Sequence, residues 1–447
     1  LNPIREQDWN AVSYSADAAR VITEKCPVDN TPHNFLPVAD KPGWVYCTKC
    51  VTTLEITYDQ NPPDPPDPPD PPDDRPVKTY QANGQDDTTA LQNWINQQPN
   101  DAVYDIRGTA AINTQGVRVL GKVNVKITSS NGGGFKAIGN GAYTSPFSAM
   151  VYAEGFNESE FNGLKFNSNG KQAGGVFLCK STRGKVLHCE SWNVAQNTAG
   201  APWAGFYGEQ CVETEVGYCH VHDTGPEVRG IWLGVSDSRR DSKPHIHHCK
   251  IERVGHTGII TESSGPYVHD NEVYDIRQHG TGYKFVPRGS ADAALWENNL
   301  VNGTANAGMM IEGSSVDPPI EVRGHVSKNC GAENTTFGGF YLVNGAGNNN
   351  LNFHDCSFEN CRRLGAMQYV TNSQFRNMTI SGNNQWSLEL NNSNLSFVNA
   401  GAVEMGQGNS GINVQGGGTQ TMTRQVVDYD LVLVIAQILR MIGQGAA

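Results

Sequence analysis

The chain has 447 residues, 38% apolar and only 17% charged, with 49 glycines and a net charge of −12. That balance excludes a basic surface for sequence-independent nucleic-acid binding, and no apolar run is long enough to cross a membrane as a helix. Glycine scattered among Asn, Ser and Thr points to many short strands joined by turns, and the length allows two or three domains.

Residues 1–60 read as a small module. Cys26 and His33 are followed by Cys47 and Cys50 in "GWVYCTKC". Three thiols and an imidazole at this spacing fit a tetrahedral structural Zn2+ in a zinc-ribbon-like unit, and a unit with so thin a core needs such a metal. The competing reading is a redox CxxC. The eleven cysteines of the whole chain form no paired framework, which fits folding under reducing conditions.

Residues 61–76, "NPPDPPDPPDPPDDRP", form a linker that can be neither helix nor sheet. In polyproline II, with three residues per turn, Asp64, Asp67, Asp70 and Asp73 share one edge and their repulsion keeps the rod extended. At ~3.1 Å per residue its proline–aspartate repeat, residues 62–73, spans roughly 35–40 Å. It sets the module apart from a body predicted over 77–410.

The body opens with "NGQDDTTALQNWINQQPN", where Asp86 or Asp87 can cap a short helix with Ala90, Leu91, Trp94 and Ile95 as its apolar stripe. Pro99 ends it. Strand-like segments then repeat. A glycine before an apolar run recurs as "GVFLCKS" at 175, "GFYGEQC" at 205, "GIWLGVS" at 230, "GIITESS" at 258, "GYKFVPR" at 282, "GMMIEGS" at 308, "GFYLVNG" at 339 and "GAMQYVT" at 365. Each repeat carries a second strand later, such as "VLHCESW", "VGYCHVH" and "VHDNEVY". Repeats of this length with several short strands apiece indicate a solenoid whose coils stack at ~4.8 Å, an all-β parallel β-helix.

The repeats also explain "HIHHCKIE" at 245–252, which in isolation resembles a metal site. Cys249 aligns with Cys189, Cys219, Asn271, Asn298 and Cys356, an inward ladder in which asparagine bonds neighbouring coils and cysteine is a small buried apolar residue. The histidines beside it are then outward or corner residues.

The cap helix followed by these repeats resembles the N-terminal part of the pectate-lyase superfamily, especially the group shared with bacteriophage tailspikes and polysaccharide depolymerases. The resemblance covers roughly residues 78 to 400 and implies a right-handed parallel β-helix. It does not choose a chemistry, since the superfamily includes hydrolases, lyases, epimerases and non-catalytic binders. The Asp-Pro-His triplet of C5-epimerases is absent, and no convincing set of pectate-lyase calcium carboxylates is visible.

Alternation places Phe177, Tyr207, Trp232, Ile260, Lys284, Met310, Tyr341 and Met367 in one outward column. Two residues along lies a second: Cys179, Glu209, Gly234, Glu262, Val286, Glu312, Val343 and Tyr369. The expectation is an exposed strip with Tyr207, Trp232, Lys284 and Tyr341 binding sugar and Glu209, Glu262 and Glu312 as catalytic carboxylates. Glycoside hydrolysis with inversion needs two carboxylates ~6.5–9.5 Å apart, and two coil steps come to ~9.5 Å. Spaced glutamates that merely keep the surface solvated are the alternative. A further strip, His188, Tyr218, His248, Asp270, Glu297 and Asp355, could exchange protons, or hold a metal where His248 meets Asp270.

Residues 411–447 differ in kind. Val427, Leu431, Val434, Ile438 and Met441 follow the 4-3-4-3 spacing of a coiled-coil helix, and Val432, Ile435, Leu439 and Ile442 add a second apolar stripe. A helix apolar on two flanks predicts a bundle, best a homotrimer, with packing over the solenoid end or contact with a membrane surface as alternatives. Module, spacer, solenoid and tail together suggest a virion spike or fibre-like protein, at a virion surface or extracellular. It would be anchored through residues 1–60, would bind a cell-surface polysaccharide and, on one reading, would depolymerise it. A free secreted polysaccharide lyase or glycoside hydrolase, and a non-catalytic structural or decoration protein, are the alternatives.

Overall fold

The computed structural model describes residues 73–140, 149–196 and 203–368, with breaks at 235–237, 239, 279, 289–291, 314–319, 333–337 and 344–350. It also describes the strands between 35 and 55 and between 373 and 423. The chain divides into two compact units, Leu1–Asp74 and Arg75–Ala447. In the first, Phe35–Pro37, Trp44–Cys47 and Thr53–Glu55 form an antiparallel sheet. Cys47 closes its middle strand. Cys26, His33 and Cys50 lie outside the described residues, as do the linker before residue 73 and the whole 427–442 stripe.

The second unit is a parallel β-solenoid, the all-β fold expected from the repeats. Three sheets run its length, with 13, 14 and 11 strands. Through the middle of the solenoid a coil contributes one strand to each sheet, with Asp241–Ser242 an additional short strand of the 13-strand sheet, and pairs in register with the coils before and after it. Val176, Phe206, Ile231, Ile259 and Tyr283 face inward from the 13-strand sheet. Val186, Val216, Ile246, Val268 and Trp296 do so from the 14-strand sheet. These rows make one continuous core, because a single coil has no second layer on which to bury its inner face. The 13- and 14-strand sheets continue past residue 410, with Ile412–Gln415 and Gln420–Thr423 as their last described strands.

The recurrent glycine has a steric cause. A Cβ on Gly205 would lie 2.5 Å from Val221, one on Gly258 2.7 Å from Val273 and one on Gly282 2.4 Å from Val301. Those valines belong to the 11-strand sheet, so glycine marks the line where two sheets close on each other. The last repeat departs from the sequence alignment by one residue. Gly365 pairs with Phe340 instead of Gly339, where its missing Cβ leaves room for the Phe340 ring. Ala366 and Gln368, not Met367 and Tyr369, therefore extend the two outward columns.

The helix spans Thr88–Gln97 and buries Thr88, Leu91 and Ile95, with Trp94 half-buried between Tyr80 and Tyr104. Ala90, expected in the stripe, is exposed. The two aspartates divide the work at its start. Asp86 Oδ1 accepts from the Thr88 amide at 3.1 Å. Asp87, wholly buried, accepts from the Asn83 and Ala111 amides and the Tyr80 hydroxyl, which ties the helix to the first coils.

The ladder holds with one correction. Cys219 Sγ donates to the Val186 carbonyl at 3.3 Å and Cys249 Sγ to Val216 at 3.5 Å. Asn271 Nδ2 donates to Ile246 at 3.0 Å, and Asn299 Nδ2 to Val268 at 2.8 Å. Thiol and amide thus make the same bond to the preceding coil. The member from "WENN" is Asn299; Asn298 precedes it with φ 51°, in the left-handed region. His188, Tyr218, His248, Asp270 and Asp355 share that corner conformation, with φ between 51° and 56°. Asn298, and not Glu297, is therefore their equivalent. The eight cysteines described in the solenoid unit, Cys249 among them, are buried and form no disulfide.

Candidate functional site

The outward face of the 13-strand sheet carries the expected columns. Tyr207 pairs with Trp232, Trp232 with Ile260, Ile260 with Lys284, Lys284 with Met310 and Met310 with Tyr341. The expected exposure is not found at the aromatic end. Tyr207 is 4% exposed and Trp232 7%. Rings stacked one coil apart cover one another. Phe177 meets Tyr207 edge-on at 4.7 Å, Tyr207 meets Trp232 at 5.5 Å, and the Arg229 guanidinium lies 4.7 Å from the Trp232 ring centre. This end of the column is a packed wall, not an open stacking platform. Lys284 and Tyr341, farther along, are half-buried.

The carboxylates differ from one another. Glu209 lies within 3.3 Å of the Tyr207 hydroxyl, which donates to it. Glu262 is 9% exposed and takes Arg288 at 2.9 Å. Burial raises its pKa and outweighs the opposing pull of Arg288 and, more weakly, Lys284. Glu312 is more open and is paired with Lys284 at 3.0 Å. The cation expected to meet acidic sugars is thus already engaged. Arg288 went unnoticed in the sequence, although alternation along "GYKFVPR" places it outward, diagonal to Glu262.

Between Glu209 and Glu262 the column passes through Gly234. Its φ is +81°, and a Cβ there would stand 1.9 Å from the Glu262 carbonyl oxygen. Only glycine fits, so no side chain fills the column between these two carboxylates. Between Glu262 and Glu312, by contrast, stands the buried Val286. The second pair thus has a side chain between its members and the first does not.

One further carboxyl lies behind this face. Asp241 is fully buried at the corner leaving the sheet, where its Oδ1 accepts from the Cys211 amide at 2.9 Å. Its Oδ2 has no partner among the described residues and occupies the space that a Cβ on Gly208 would need. Burial pushes its pKa up to about 8. Gly208 points inward, aligned with Leu178 and Leu233, so this acid belongs to the core and not to the outward groove.

The other expected strip lies on the 14-strand sheet and its corner. His188, Tyr218 and His248 stack at 4.8 Å intervals. Asp270 accepts from its chain neighbour His269 at 2.6 Å, and one ligand atom each of His248, His269 and Asp270 lies within 4.8 Å of the others, so His248 and Asp270 do meet as expected. His245 and His247 flank His269 on the same face, and burial with neighbouring imidazoles pulls the His245 pKa down to about 4.

No protein-family model matches the chain, and no curated protein matches its sequence. Solved structures do match its fold. A thermostable GH87 α-1,3-glucanase catalytic unit from Streptomyces thermodiastaticus aligns over 78% of this chain and 68% of its own, at 12% identity and a TM-score of 0.51. The Agl-KA catalytic domain aligns over 78% and 69%, at 14% identity and 0.50. The Dettilon tailspike protein aligns over 78% and 68%, at 13% identity and 0.43. The fold they share with this chain is a right-handed parallel β-helix.

Proposed function

We propose that the chain binds a polysaccharide along the outward face of the 13-strand sheet and hydrolyses it between Glu262 and Glu209. The observation that carries this reading is Gly234, which sets no side chain between two carboxyls in unlike environments. Unequal environments divide acid from base. Glu262, which burial helps to keep protonated, gives its proton to the glycosidic oxygen as the bond from the anomeric carbon breaks. Glu209 takes a proton from the water whose oxygen joins that carbon. Two coil steps, ~9.5 Å before side-chain lean, suit the separation that lets a water stand opposite the leaving group. Arg288 positions Glu262, while Tyr207 and Trp232 make the wall that fixes Glu209. Lys284, Glu312 and Tyr341 extend the groove toward later coils. A glycan is also what the α-1,3-glucanase of like fold is named for.

The setting that best suits this activity is a trimeric virion spike or fibre-like protein, anchored through residues 1–60. The charged proline rod supports this setting, because a freely diffusing enzyme needs no stiff spacer between module and body. The test incubates the purified full chain with acidic and neutral bacterial exopolysaccharides, following reducing ends and unsaturated-uronate absorbance. Glu262→Gln should lower reducing-end release by at least ~100-fold, the scale for losing a general acid, while glycan binding persists. Parent-like cleavage by that variant would overturn the assignment, and uronate absorbance in the parent would replace hydrolysis by elimination.

A further inference from the structure

A different face of the solenoid carries a cluster unrelated to the carboxylate groove. His245 and His247 are two residues apart in one strand and point the same way, and His269 stands opposite His247 in the next coil. Their ring centres are 4.3 Å, 4.9 Å and 5.3 Å apart. One nitrogen from each can be chosen so that all three lie within 4.8 Å of one another. The Nε2 atoms of His245 and His269 are separated by only 2.7 Å.

We propose that His245, His247 and His269 bind one divalent transition-metal ion of the zinc, nickel or copper class, bridging two successive coils. Three features support this reading. The first is orientation. Asp270 accepts the Nδ1 proton of His269 at 2.6 Å, which leaves its Nε2 lone pair directed at His245. A carboxylate behind a ligating imidazole is the usual way a protein fixes the metal-binding tautomer. Glu215, anchored by Lys185 at 2.6 Å, holds His247 by its Nε2 at 3.1 Å, which leaves Nδ1, 3.1 Å from His248 Nδ1, as the ligating atom of that residue.

The second is distance. Tetrahedral metal–nitrogen bonds of ~2.0–2.1 Å set the ligand nitrogens ~3.4 Å apart. The His245–His269 pair needs to open by only about 0.7 Å, a small side-chain rotation on a rigid sheet. The third is donor type. Imidazoles select zinc, copper or nickel, whereas magnesium and calcium take oxygen donors. Because the ligands come from two coils, the ion would staple strands 24 residues apart, and its binding would appear as added stability of the folded solenoid.

The experiment uses the full chain, stripped with chelator and dialysed against Zn2+, Ni2+ or Mg2+. Bound metal is measured by elemental analysis and the melting temperature by calorimetry. The parent should hold one transition-metal ion more than the His245→Gln/His269→Gln variant, and only the parent should gain this part of its melting-temperature rise. This difference is independent of any zinc held by Cys26, His33, Cys47 and Cys50, which both proteins retain. Equal uptake by parent and variant overturns the proposal, as does uptake of Mg2+ in preference. Should the double variant not fold, Asp270→Asn keeps all three ligands and should weaken binding by ~10–100-fold. Unchanged affinity in that variant, with no nitrogen-ligand Co2+ spectrum in the parent, would equally overturn it.

Discussion

Replacing Asp241 by asparagine should make the solenoid more stable at neutral pH, and the gain should grow with pH. The Asp241 carboxyl is fully buried, one oxygen accepts from an amide and the other has no partner among the described residues. Its folded pKa is about 8, against the ~4 of an aspartate in an unfolded chain. Below pH ~4 both states are protonated and the group has no effect. Between ~4 and ~8 the native acid keeps its proton while the unfolded one loses it, so unfolding releases a proton and stability falls as pH rises, by ~1.4 kcal/mol per unit. At pH 7 this amounts to about 4 kcal/mol, an upper scale because the corner can relax around the charge. Asparagine keeps the acceptor for the Cys211 amide and does not titrate. Urea unfolding of both proteins at pH 5 and pH 7 gives the comparison, with the parent expected to lose about 3 kcal/mol more than the variant. Taking the difference between the two proteins limits the effect of partly unfolded repeats. Equal pH slopes would show that Asp241 is already ionised in the native state and that the burial reasoning is wrong.

Two further outcomes concern the ends of the chain. Freshly purified protein should contain one zinc lost when Cys47 and Cys50 are both changed to serine, and elemental analysis without stoichiometric zinc would remove that metal from the module. Light scattering of the intact protein should give the mass of three chains, falling to one when residues 424–447, beyond the last described strand, are deleted; a monomeric parent would refute the tail as a trimer seam.

The sequence by itself determined the architecture. Its repeating glycine records the places where a Cβ would strike the 11-strand sheet, and the alternation after it records which residues face the core. Both are local constraints applied coil after coil, so they survive in the order of residues. Cys249 could therefore be assigned to the ladder despite three histidines beside it. What the sequence could not settle was anything decided between coils or at corners. The register of Gly365 depended on the bulk of Phe340. The choice of Asn299 over Asn298 depended on which residue takes the left-handed corner. Burial of Trp232 depended on Arg229 and Tyr207 closing over it, and the raised pKa of Glu262 on burial outweighing a partner one coil away. Alternation alone states that a residue points outward. Only the packed structure decides whether outward is also exposed, because that depends on neighbours some 25 residues distant that the solenoid brings within ~5 Å.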